Sequence, residues 1–148
     1  MKPSPIEILL VEDDVTDSRI VCEALLENEK RIRVHAVSDG QDAVDFLKKQ
    51  GKFGSVQSPH LVILDFNLPK KHGREVLQEV KSDEKIRQIP IVVLSTSSSE
   101  KDIRTAYDLH ANSYLIKPWE LEEFRALVHH LRDYWIHFAE ITVTGQGV

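Results

Sequence analysis

Ile8-Leu9-Leu10-Val11-Glu12-Asp13-Asp14 is the stretch that decides the fold: four apolar residues in a row, then three carboxylates. A strand wetted on one face alternates apolar and polar side chains, so an unbroken apolar run belongs to a strand covered on both faces. Two further runs repeat the design, Leu61-Val62-Ile63-Leu64 ahead of Asp65 and Ile91-Val92-Val93-Leu94 ahead of Ser95-Thr96. Outward from these, β-type runs fall at residues 6–11, 33–38, 61–65, 91–95 and 113–116, alternating with helical periodicity at 15–29, 41–49, 73–82, 98–109 and 121–138. Five βα units in succession make an α/β fold, a doubly wound (βα)5 five-stranded parallel sheet. Its centre holds the three apolar runs, and the half-polar Arg33-Val34-His35-Ala36-Val37 suits an edge. Asp14 and Asp39 stand as N-caps, and Ser97-Ser98-Ser99-Glu100 fits a capping box. The Gly- and Ser-containing stretch from Gln50 to Pro59 reads as a surface loop, because the unit count is incomplete on either side of it.

With 148 residues, 41% of them apolar, the chain can bury one sizeable core. The expected organisation is one domain over 5–138, ending in an extended helix, and a tail over 139–148. Cys22 has no cysteine to pair with and reads as a small buried thiol in a reducing compartment. Met1 to Pro5 lack the apolar stretch of a signal peptide, and no run approaches a membrane span, so a cytoplasmic location is expected. The balance of 19 Lys+Arg against 24 Asp+Glu, dispersed without a basic stripe, argues against nucleic acid as the direct ligand. Seven scattered histidines offer no zinc-ligand spacing.

Ligands of open parallel sheets bind beyond the carboxyl ends of the strands, where strand order reverses. The first strand ends in Glu12-Asp13-Asp14, the third in Asp65, the fourth in Ser95-Thr96 and the fifth in Lys117-Pro118. With strand order 2-1-3-4-5, the carboxylates of strands one and three converge. Asp14 alone is better read as a helix cap, but Asp65 has no helix immediately behind it to cap. Clustered carboxylates repel unless one is protonated or a cation sits among them, and an all-oxygen set favours Mg2+. Lys117 supplies the opposite charge from a turn fixed by Pro118, a turn compatible with a cis peptide, while Ser95 and Thr96 add hydroxyl donors.

With these residues in place, residues 5–130 closely resemble the receiver domain of two-component response regulators. The resemblance rests on Ile8–Asp14, Leu64-Asp65-Phe66-Asn67-Leu68-Pro69, Val93-Leu94-Ser95 and Ser113-Tyr114-Leu115-Ile116-Lys117-Pro118. It implies that Asp65 is phosphorylated by a histidine kinase, and that Asp13, Asp65 and the Asn67 carbonyl ligate Mg2+ with Glu12 acting through water. It also implies that Lys117 and Ser95 contact the phosphoryl group and that Tyr114 changes rotamer on activation. Leu68–Leu77 together with the aromatic C-terminal helix is similar to the single-domain regulators partnered with cyanobacterial phytochrome histidine kinases. His72 stands where that family usually has Asp, and His110 where glycine commonly ends the fourth helix. A non-glycine residue at a left-handed C-cap costs about 1 kcal/mol. Lys117 is expected to couple the phosphoryl group to Ser95 and Tyr114 rather than to stabilise the fold.

Rival functions lack their signatures. A haloacid-dehalogenase phosphatase wants Asp-x-Asp and a hydroxyl residue, whereas Asn67-Leu68 stand here, and no glycine-rich phosphate loop is present. A phosphorylation-independent adaptor and a regulator of another kinase, such as a chemotaxis-type one, remain as alternatives. Apart from its own phosphotransfer and dephosphorylation, no enzymatic activity is expected, and output is expected through protein contacts. In the last helix Leu121, Phe124, Val128, Leu131, Trp135 and Phe138 recur at alternating steps of three and four. An 18-residue helix outruns its strand, since 1.5 Å per residue gives about 27 Å against about 17–20 Å. Its overhang carries Tyr134, Trp135 and Phe138, expected to form a homodimer interface together with the fifth strand.

Overall fold

A computed structural model describes residues 5–141. The elements are β1 (Ile6–Val11), α1 (Val15–Leu26), β2 (Ile32–Val37), α2 (Gly40–Lys48), β3 (Leu61–Leu64), α3 (Gly73–Lys81), β4 (Ile91–Ser95), α4 (Glu100–Asp108), β5 (Ser113–Ile116) and α5 (Leu121–Asp133). All strand pairs are parallel, in the order β2-β1-β3-β4-β5. Of the expected tail, residues 142–148 lie outside the described residues.

The alternation of side chains along each strand divides the interior into two layers. Leu9, Val11, Val62, Leu64, Ile91 and Val93 face α2, α3 and α4, meeting Phe46, Leu47, Val76, Leu77, Val80 and Ala106. Ile8, Leu10, Leu61, Ile63, Val92 and Leu94 face α1 and α5, meeting Val21, Leu25, Phe124, Val128 and Leu131. Burying each such aliphatic side chain stabilises the fold by about 1.5–3 kcal/mol before chain entropy is counted. The apolar runs are the central strands, and the half-polar β2 is an edge.

Several local features differ from the sequence expectations. The first helix stops at Leu26, because Asn28 turns the chain with φ 54°. Ser99, not Ser97, caps α4, its hydroxyl accepting from the Asp102 N–H, while Ser97 Oγ donates to the Asp102 carboxylate at 2.6 Å. The Gln50–Pro59 loop contains a 3-10 turn, Gly51–Phe53, whose Phe53 ring packs on Phe46 with centroids 5.3 Å apart. The bond before Pro118 is trans, as are all described peptide bonds. Cys22 is half-buried, and that burial pushes its thiol up.

The largest difference lies in the last helix. It is α-helical only to Asp133, after which Tyr134–Phe138 form a π turn closed by the Ala139 N–H on the Tyr134 carbonyl at 2.8 Å. A π turn inserts one residue per turn, so the inward position after Leu131 falls five residues on, at Ile136, instead of four. Ile136 is buried, Trp135 is half-buried against the same layer, and Tyr134 and Phe138 point outward, 57% and 77% exposed. Leu121, expected in the seam, is 50% exposed at the opposite end.

Candidate functional site

The carboxyl ends of β1 and β3 lie side by side, with Val11 opposite Leu64, so the residues that follow them share one hollow. Glu12 and Asp65 are buried, Asp13 is exposed at the rim, and one carboxylate oxygen from each lies within 4.8 Å of the others. Asp14 acts as the cap of α1, accepting from the Asp17 N–H at 2.8 Å, and stands outside the cluster. Lys117, leaving β5, extends its ammonium into the hollow: Nζ is 2.5 Å from Glu12 Oε1, 2.9 Å from Asp17 Oδ2 and 3.5 Å from Asp65 Oδ2.

The electrostatics follow from burial against pairing. Burial, and then the neighbouring charge of Asp65, push Glu12 up to about 7, although the Lys117 hydrogen bond opposes them. Burial works against the charge on Lys117, but its bond to Glu12, the Asp65 charge and its bond to Asp17 outweigh it and hold the ammonium well above its usual range. One lysine thus faces three carboxylates at contact distance, with Asp13 beside them. The donors are all hard oxygens, so the cluster fits a hard divalent cation, whose charge would remove the reason for a proton on Glu12.

The fourth strand brings the hydroxyls. Ser95 is fully buried and its Oγ accepts from the Ser97 N–H at 3.2 Å, whereas Thr96 is exposed beside Lys117 at the mouth of a cavity of about 270 Å³. Tyr114 is turned inward: its hydroxyl donates to the Ser97 carbonyl at 2.8 Å, and its ring meets the Phe66 edge with centroids 5.9 Å apart. Phe66 also meets the tilted ring of His72, which caps α3 by accepting the Arg74 N–H on Nδ1 at 3.0 Å. Asn67 is exposed, its N–H donating to Asp65 Oδ1 at 3.3 Å.

Glu12, Asp13, Asp65 and Lys117 come together in one hollow, while Asn67 and Thr96 stand exposed and Tyr114 is held at Ser97; one further residue joins the hollow. Asp17 was not foreseen as part of the site, yet it holds Lys117 from the first turn of α1. Its signal was its position three residues beyond the cap Asp14, which puts it at the start of a helix that rises from the same strand end.

The model for the response regulator receiver domain matches residues 8–129. The chain belongs to this family. The receiver is 42% identical to the response regulator Rcp1 of Synechocystis over 89% of its length and 90% of the relative's. It is also 40% identical to the probable methanogenesis regulatory protein FilR2 of Methanothrix harundinacea, over 89% and 84%. Among solved structures, that of the phosphorylated cyanobacterial phytochrome response regulator RcpA superposes with a TM-score of 0.91 at 41% identity, covering 93% of this receiver and 99% of that chain. The Mn2+-bound form of Rcp1 gives 0.90 at 40% identity, over 94% and 100%. The receiver is a component of phosphorylation-dependent two-component signalling. Its buried acidic cluster suits a divalent metal. Among the described residues no helix is long and apolar enough to cross a membrane.

Proposed function

We propose that this receiver takes a phosphoryl group from a sensor histidine kinase of the phytochrome type onto Asp65, with Mg2+ as the metal. The observation that carries this reading is the facing of Asp65 by Lys117 at 3.5 Å inside a three-carboxylate hollow. Asp13, Asp65 and the Asn67 carbonyl would hold Mg2+, with Glu12 acting through water. When bound, the ion supplies positive charge that screens the nucleophile from the incoming phosphoryl oxygens.

A carboxylate oxygen of Asp65 forms the bond to phosphorus as the P–N bond of the donor phosphohistidine breaks, and the donor imidazole leaves. Lys117 donates to a phosphoryl oxygen, exchanging part of its present pairing with Glu12 and Asp17 for the new charge. Ser95 and Thr96 supply hydroxyl donors to the acyl phosphate. Drawing Ser95 toward it disturbs the Ser95–Ser97 contact, and Ser97 is the residue whose carbonyl holds Tyr114. A rotamer change of Tyr114 then carries the switch to the surface.

The phytochrome pairing is supported by the likeness to RcpA over nearly the whole of both chains. A regulator serving a different sensor is the second reading, favoured by the similar identity to FilR2. We further read 5–138 as the functional unit, working in the cytoplasm as a homodimer through Tyr134, Trp135, Phe138 and β5, without direct binding of nucleic acid. The deciding experiment is labelling by a small-molecule phosphoryl donor with and without Mg2+. Asp65→Asn is expected to abolish Mg2+-dependent labelling while the far-ultraviolet circular dichroism stays unchanged; equal labelling of the variant rejects the assignment.

A further inference from the structure

The loop behind Asp65 passes close against the first residue of α2, and that residue is a glycine. Gly40, the first residue of α2, is buried behind the capping Asp39, and its N–H faces the Pro69 carbonyl at 3.4 Å. A Cβ at position 40 would lie 1.9 Å from the Lys71 carbonyl oxygen, 2.7 Å from its carbon and 2.8 Å from the Lys71 Cβ. Two of these three atoms are backbone, so no rotamer change relieves the clash. An alanine here must push the chain at Lys71 away from α2.

The loop has little room to give at its far end. The Gly73 N–H donates to the Phe66 carbonyl at 2.8 Å, and Gly73 is itself pressed close, since a Cβ there would lie 2.6 Å from the Asp65 carbonyl oxygen. The Lys71 N–H is engaged by the Pro69 carbonyl at 2.7 Å. A displacement at Lys71 must therefore be absorbed between Asn67 and Lys70, where Lys70 already sits at φ 66°. That short stretch carries the Asn67 carbonyl.

We infer that Gly40 is a positioning residue for the metal-binding loop: by lacking a side chain it lets α2 seat the Lys71 backbone, which holds the Asn67 carbonyl in register with Asp13 and Asp65. The inference rests on the reading of Asn67 as a metal ligand. It assigns to the α2 terminus a share in ion affinity, although no atom of α2 belongs to the carboxylate cluster. Helix propensity alone predicts the opposite sign, because alanine favours a helix over glycine.

The test is calorimetric titration of the full chain with Mg2+ alone. Gly40→Ala is expected to raise the dissociation constant about tenfold or more, the scale on which supporting shells act at metal sites, with unchanged far-ultraviolet circular dichroism. Gly54→Ala, whose added Cβ meets nothing nearer than 3.5 Å, should bind as the wild type does. If Gly40→Ala does not fold, the same contact is loosened from the other side. Lys71→Gly removes the Cβ that lies 2.8 Å from where a side chain at position 40 would begin and Lys71→Ala keeps it, and only the glycine variant should bind more weakly. Wild-type affinity in a folded Gly40→Ala, or equal affinities in the two Lys71 variants, overturns the inference alone. A wild type that binds no Mg2+ removes the metal reading and this inference with it.

Discussion

Lys117 stands where two roles can be tested at once. The sequence placed it at a strand end and suggested a coupling role free of structural weight, but its side chain is 4% exposed and its ammonium lies between Glu12, Asp17 and Asp65. Removing one partner of a buried ionic cluster leaves uncompensated charge, which typically costs about 3–5 kcal/mol. Lys117→Ala should therefore lower the unfolding free energy read from urea denaturation by an amount in that range, less whatever Glu12 recovers by taking up a proton. It should still accept some phosphate while losing the phosphorylation-dependent change in tyrosine and tryptophan signals. An unchanged unfolding free energy together with an unchanged response would contradict both roles. Asp17 escaped the sequence reading for a related reason: one carboxylate in a first helical turn looks like any dipole-favouring acid until a lysine from β5 is known to reach it.

At the same scale, His110 pays for its position. It stands at φ 71° just beyond α4, where its N–H meets the Tyr107 carbonyl and the Ala111 N–H meets the Ala106 carbonyl, both at 2.9 Å, the pairing of a Schellman motif. The turn is therefore preserved despite the non-glycine residue, and it delivers Tyr114 with its N–H on the Tyr107 hydroxyl at 3.1 Å. His110→Gly should stabilise the chain by about 1 kcal/mol, since glycine carries no Cβ penalty in the left-handed region. Thermal unfolding of the two proteins checks it, and a destabilised glycine variant would show that the imidazole makes a compensating contact.

At the scale of elements, the alternation of strands and helices was legible because central parallel strands must be apolar on both faces, and Ile8–Val11, Leu61–Leu64 and Ile91–Leu94 are. Helix ends were less legible: serines at 97, 98 and 99 compete for one cap, and the structure gives it to Ser99, with Ser97 bonded to Asp102 instead. The π turn was not legible at all, because Leu131, Trp135 and Phe138 satisfy a helical period that the chain abandons in order to bury Ile136. Ion pairs between elements were equally hidden. Glu79 of α3 accepts from Lys71 at 2.6 Å and from Lys48 of α2 at 3.2 Å, tying two helices to the loop behind Asp65. The Lys71 hydrogen bond holds the Glu79 carboxyl below its usual 4.5, against partial burial and with help from Lys48. A carboxylate depressed on folding contributes stability above its unfolded value and loses it as pH falls through the folded one. Glu79→Gln should accordingly cost less than about 1 kcal/mol at neutral pH, the scale of partly exposed pairs. The deficit should shrink as pH drops below the ordinary carboxylate value, and urea midpoints across pH 7 to 3 would expose a constant deficit if the pairing were irrelevant.

For the whole molecule, the telling feature is an aromatic end that its own fold leaves uncovered. Tyr134 and Phe138 stand 57% and 77% exposed on the π turn, and β5 is the edge of the sheet with Ile116 44% exposed. Aromatic side chains bury about 150–250 Å² each when covered and are enriched in interface cores. An isologous contact would place both copies' turns and β5 edges against one another with a single two-fold operation. The π turn decides which variants test this contact. Trp135 packs against its own chain's core and meets Tyr134 edge-on at 5.3 Å, so Trp135→Ala would disturb the fold and the interface together. Tyr134→Ala/Phe138→Ala removes only outward side chains, while Ile136→Ala, by emptying a buried site, should cost about 2–4 kcal/mol without opening the interface. Sedimentation of the wild type at tens of micromolar should show a dimer, the double variant a monomer whose melting temperature no longer depends on protein concentration, and Ile136→Ala a less stable dimer. A monomeric wild type, or a double variant that stays dimeric, would place the contact elsewhere or nowhere on this end of the molecule.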